Sequence, residues 1–146
     1  MNDELIEFLI EAKRNTYANK SNQVKSSRDG SIDFEYKKND YRYLDSYVGS
    51  KCFSGQEIVW YKDVPYWSMN YVGKVVDDPF SGDFLKEALK NNTKEMPYRG
   101  PKQYKDGDFF YLCHADGDIT WFEGRELIFY KDKQVYELEF HGGLIK

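Results

Sequence analysis

Two apolar periodicities divide this chain. Leu5, Phe8, Leu9 and Ala12 recur at helical spacing and make the buried stripe of an amphipathic helix. Asn2 or Asp3 can cap it, Asp3 and Glu4 fall in its first turn, and Lys13 and Arg14 fall in its last, which suits the helix dipole at both ends. A polar stretch over residues 19–31 is the longest loop-like segment. The period then drops to two. Ile32, Phe34 and Tyr36 alternate with Asp33, Glu35 and Lys37, the pattern of a half-buried strand, and another strand is expected over residues 41–47, closed by Gly49. Residues 53–73 read as a hairpin that turns at Lys62-Asp63, with Trp67, Met69 and Tyr71 on one face of its second strand. Residues 77–83 break the chain and cap a second helix over residues 84–91, and residues 96–101 form an irregular crossing. A hairpin turned at Asp116-Gly117 follows, and a final one starts at Phe122.

That final hairpin repeats the first. At an offset of 69, residues 53–73 and 122–142 share Phe53/Phe122, Gly55/Gly124, Glu57/Glu126, Tyr61/Tyr130, Lys62/Lys131, Asp63/Asp132 and Gly73/Gly142. Tyr136, Leu138 and Phe140 stand where Trp67, Met69 and Tyr71 stood. Upstream, residues 36–44 parallel residues 104–112 at an offset of 68, and Phe8-Leu9 parallels Phe84-Leu85 on the helices. The expected fold is α+β: one domain over residues 1–146 with two pseudo-repeats, about 1–76 and 77–146. Each repeat has one helix and about four antiparallel strands, and both helices pack on one side of a curved sheet or sheets.

Composition narrows the function classes. Thirteen Tyr, ten Phe and three Trp in 146 residues make rings the main packing material. The net charge is −4 with Lys and Arg dispersed among acids, which argues against direct nucleic-acid binding. No long apolar run and no basic, apolar leader is present, so a cytoplasmic protein without membrane contact is expected. Cys52 and Cys113 lack metal or redox spacing and read as reduced. No phosphate loop, zinc spacing or nucleophile elbow occurs, so no cofactor, metal or catalytic residue is assigned.

The candidate chemistry is a groove with aromatic walls and carboxylates between the repeats. With Trp67, Met69 and Tyr71 under the helices, Tyr66, Ser68 and Asn70 face the other way, as do Glu137 and Glu139; Glu57 and Glu126 occupy identical places on the preceding strands. A groove lined by Glu57, Trp60, Tyr66, Asn70, Glu126 and Glu139 suits a flat or cationic organic ligand. The bland alternative is the solvated face of an antiparallel sheet. Arg28 and Arg99 precede equivalent strands and could clamp a carboxylate or phosphate, or each could pin its own loop. An enzyme acting on a small polar substrate would need Arg28, Arg99 and His141 in one pocket. A protein-interaction or dimerisation module would need an exposed aromatic patch or an open sheet edge.

Residues 27–31 (SRDGS), 43–47 (YLDSY), 55–59 (GQEIV), 67–71 (WSMNY), 97–101 (PYRGP) and 136–143 (YELEFHGG) resemble an uncharacterised bacterial domain family of unknown function. Its members stand alone or follow an Xre-type helix-turn-helix regulator domain. The resemblance implies a regulatory role exerted through a partner, either a regulator protein or a second copy. The duplicated plan is also similar to GyrI-like effector-binding domains, which bind small, often cationic aromatic molecules between repeats. That likeness implies a small-molecule sensor.

Overall fold

A computed structural model describes residues 2–18 and 22–146, the side chains of residues 17 and 18 excepted. The fold is α+β, and the described residues form two helices on a nine-stranded antiparallel sheet. Helix α1 (Asn2–Ala18) precedes β1 (Gln23–Val24), β2 (Ile32–Lys38), β3 (Tyr41–Gly49), β4 (Cys52–Tyr61) and β5 (Val64–Val75). Helix α2 (Gly82–Lys90) precedes β6 (Gln103–Asp106), β7 (Phe109–Asp118), β8 (Trp121–Tyr130) and β9 (Lys133–Leu144). The strand order β1-β2-β3-β4-β5-β9-β8-β7-β6 joins two meanders along one seam, β5 against β9. The first three residues of the expected loop over 19–31 lie outside the described residues.

Lys62 and Asp63 both take positive φ (50° and 65°), as do Lys131 and Asp132 (46° and 67°). Such a pair of left-handed residues matches the twist of the flanking strands. Each of these hairpins carries a register shift, at Val59/Trp60 and at Ile128/Phe129. The turn expected at Asp116-Gly117 falls instead at residues 119–120, because β7 continues to Asp118, whose carboxylate accepts hydrogen bonds from the Thr120 amide and hydroxyl.

Both helices cover one face. The Phe8 ring of α1 packs on Tyr36 and Tyr41, and the Phe84 ring of α2 on Tyr104 and Phe109. Beneath them lie the inward residues of the strands, among them Tyr43, Val59, Trp67, Met69, Tyr111, Ile128, Tyr136, Leu138 and Phe140, all buried. Ser81 caps α2 by accepting the Phe84 amide. Helix α1 runs to Ala18, past the expected end near Arg14, so Lys13 is not a last-turn cation: it is buried, one helical turn beyond Leu9 on the core stripe. Residues 91–102 link α2 to β6 as a strap whose middle is buried, at residues 96–100 and at Asn92, while Thr93, Lys94 and Glu95 are exposed. Among the described residues no helix is long and apolar enough to cross a membrane. Both cysteines are free, Cys52 exposed and Cys113 buried.

Candidate functional site

The core face carries a set of buried charges that an aromatic interior would ordinarily exclude. Glu57 on β4 pairs with Lys13 of α1 at 3.0 Å, both side chains fully buried, and Lys13 Nζ also donates to the Tyr98 carbonyl of the strap. Burial pulls the Lys13 ammonium below its ordinary range, and the attraction of Glu57 opposes that shift. Glu126 on β8 accepts both arms of Arg99, Nη2 at 2.7 Å and Nε at 3.2 Å. It also accepts the Tyr111 hydroxyl at 2.5 Å and the Tyr136 hydroxyl at 2.6 Å. Burial and this carboxylate hold both phenols well above their usual range. The Gly100 amide donates to Tyr111 Oη at 2.9 Å, fixing the strap to the sheet.

A third carboxyl, Asp45 on β3, stands directly across from Glu57 in the strand register. Among the described residues its hydrogen bond comes from the Tyr71 hydroxyl, at 2.6 Å. The Tyr71 ring reaches it by lying over Gly55, where an added Cβ would come within 2.3 Å of the phenol oxygen. Burial first, then the charge of Glu57, pushes the Asp45 carboxyl up to about 7, against the pull of Tyr71, Arg99 and Lys13.

Asp45 forms part of the floor of a cavity of about 530 Å³ between the first meander and α2. Its walls are the rings of Tyr47, Phe53, Tyr71 and Phe80 and the side chains of Leu85 and Leu89, with Arg99 at its inner end and Lys86 on α2. That volume lies within the range of small-molecule sites, and a mainly apolar lining with a few convergent polar groups is their usual make-up. The Arg99 guanidinium also sits 5.2 Å from the Tyr71 ring centroid, so cavity wall and ion pairs form one connected unit.

The structure divides the residues expected to form one groove. Glu57 and Glu126 do not line the face away from the helices. They are opposite Met69 and Leu138 in the register, and directly opposed residues share a face, so both point into the core. Arg99 joins them there. Arg28 does not meet Arg99: it donates to the Ser46 carbonyl and hydroxyl on the uncovered face. On that face Arg28, Asn70, Glu139 and His141 are brought together, around an open depression of about 540 Å³. Trp60 stands apart under the Arg42 guanidinium at 3.8 Å, and Tyr66 packs on Tyr61 at 6.0 Å.

Asp45, Tyr71 and Lys13 lie outside the set of site residues expected from the sequence. For Asp45 the signal was present: in Tyr41-x-Tyr43-x-Asp45-x-Tyr47 the carboxyl occupies an inward position of an aromatic strand.

Residues 45–145 match the family model described as a domain of unknown function (DUF5680), in agreement with the resemblance to an uncharacterised family. The matched span holds Asp45, Glu57, Tyr71, Arg99 and Glu126 and leaves Lys13 outside it. No curated protein and no solved structure matches the chain.

Proposed function

The chain belongs to the DUF5680 family, whose name assigns no activity, and we propose from the site itself that it is a small-molecule-binding module of the sensor type. One observation carries the reading: a ring-walled cavity with a buried, hydrogen-bonded carboxyl in its floor. Burying five charged side chains under two helices is costly, and apolar replacements usually serve stability as well or better. Perturbed groups that gather at a cavity are the ordinary mark of a binding site. In this reading the chain is a duplicated helix-plus-strands unit, and the ligand sits between the sheet of the first unit and the helix of the second. On the same reading signalling passes to a partner chain through α2, whose Leu85, Lys86 and Leu89 line the cavity. An enzyme built on Arg28, Arg99 and His141 finds no support in the geometry, because Arg99 lies on the opposite face from the other two.

Leu85→Trp tests the reading by filling the cavity from α2. Native mass spectrometry and thermal shift of the unaltered protein should reveal a copurified or added small aromatic compound, with stabilisation of several degrees at saturation. The Trp variant should fold, since its added ring enters open space, and should lose that stabilisation. Equal stabilisation of both proteins places the ligand elsewhere and sinks the assignment.

A further inference from the structure

We propose that the occupant of this cavity is an organic monocation, a protonated amine or a quaternary ammonium group, with the Asp45 carboxylate as its counter-ion. The proposal rests on the cavity being a ligand site and goes further by fixing the ligand's charge.

Among the described residues the helix-covered face buries five charged side chains. They comprise two cations, Lys13 and Arg99, and three carboxyls, Asp45, Glu57 and Glu126. Lys13 serves Glu57 and Arg99 forks onto Glu126, so each cation already has a carboxylate in direct contact. Among the described residues, the partner in direct contact with Asp45 is a phenol, that of Tyr71. The two meanders differ at this point: Glu57 faces Asp45 across β3 and β4, whereas Glu126 faces Cys113 across β7 and β8. Burial holds the Cys113 thiol up to about 12, so the second meander carries no surplus charge. The surplus belongs to the first meander alone, and it is the first meander that has the cavity above it.

An anion is disfavoured by the same geometry. Arg99 has its guanidinium fork committed to Glu126, and a bidentate pair of this kind leaves little charge to offer a second carboxylate. Lys86 is exposed on α2, where solvent and salt screen it. The groups that face Asp45 are the Tyr71 hydroxyl of β5, Tyr47 of its own strand, Glu57 of β4, Lys13 of α1 and Arg99 of the strap. Glu57 opposes its ionisation and Lys13 and Arg99 favour it. In the empty cavity a proton restores neutrality. A bound cation does the same, so the two compete, and the rings of Tyr47, Phe53, Tyr71 and Phe80 supply faces for the cation. Affinity therefore rises with pH until Asp45 is ionised in the free protein.

The test uses three probes of one shape, phenethylammonium, 2-phenylethanol and 3-phenylpropionate, titrated calorimetrically into the full chain. At pH 8 the ammonium compound should bind most tightly. Its affinity should fall about tenfold per pH unit once the pH is well below 7. At pH 6.5 its binding should release a proton, read as a heat that varies with the ionisation enthalpy of the buffer, and this needs no variant. Asp45→Asn should abolish the preference for the ammonium over the alcohol while the alcohol still binds. If the propionate binds tightest, or Asp45→Asn keeps the cation's affinity, the charge assignment is wrong and the cavity reading survives. If none of the three binds at any pH, both fall.

Discussion

Asp45 and Glu57 oppose each other across two strands, and among the described residues it is Glu57 that has a cation in direct contact, Lys13 at 3.0 Å. For Asp45 the folded-state pKa is about 7 against an ordinary value of 3.8, so between those values the folded protein holds a proton that the unfolded chain has lost. Stability from this group is fully present below pH 3.8 and is lost as pH rises through 7. Each tenfold change in proton affinity is worth about 1.4 kcal/mol, which makes the loss of order a few kcal/mol. Asp45→Asn, which still accepts the Tyr71 hydroxyl, should raise the melting temperature at pH 8 and flatten its fall between pH 5 and 8; an unchanged slope would show that Asp45 is ionised throughout. Lys13→Met makes the opposite case. It strands Glu57 without a cation and should cost about 3–5 kcal/mol in urea unfolding, whereas Lys13→Met with Glu57→Leu should recover most of that loss. A double variant as unstable as the single one would mean that the ion pair itself, not the orphaned carboxylate, sets the cost. The sequence showed Lys13 only as a helical cation near the expected end at Arg14. Its burial follows from its place one turn beyond Leu9 on the core stripe, inside a helix that runs four residues past Arg14 with no glycine or proline to mark its end.

Among the elements, the strands were the most legible, because an alternating strand writes its buried face directly into the sequence: Trp67-x-Met69-x-Tyr71 and Tyr136-x-Leu138-x-Phe140 both point inward as their spacing requires. The strap over residues 91–102 was the least legible. Pro97, Gly100 and Pro101 mark an irregular segment, and such segments usually run over the surface because buried backbone needs partners. Here side chains supply them: Arg14 donates to the Asn92 carbonyl, Lys13 to that of Tyr98, and Tyr111 accepts the Gly100 amide. Those contacts span many residues of sequence, and local pattern carries no trace of them. Helix α2 is short, nine residues, and its cap matters accordingly. Ser81→Ala should cost about 1 kcal/mol by thermal unfolding and should weaken any cavity ligand as well, since Leu85, which lines the cavity, lies in that first turn and donates its amide to the Ser81 carbonyl. Loss of stability with binding unchanged would detach the helix from the site.

At the scale of the whole molecule, the seam between β5 and β9 is the one pairing in the described sheet that does not join consecutive strands. It brings Trp67 opposite Leu144 and Val75 opposite Tyr136. The backbones approach closely there: a Cβ on Gly142 would lie 2.1 Å from the Ser68 carbonyl oxygen. The seam also carries time-dependent behaviour. A hairpin closes in about 1–10 μs, but two strands separated by an intervening helix and three further strands must wait for a long loop to close. The meanders can therefore zip early while the seam closes late, and damage at the seam should be felt on the way out of the native state, not on the way in. In stopped-flow chevrons Gly142→Ala should speed unfolding and leave the refolding limb nearly unmoved, whereas a slowed refolding limb would place the seam in the folding nucleus. The half-life of the native protein is then governed by one line of hydrogen bonds down the middle of the sheet.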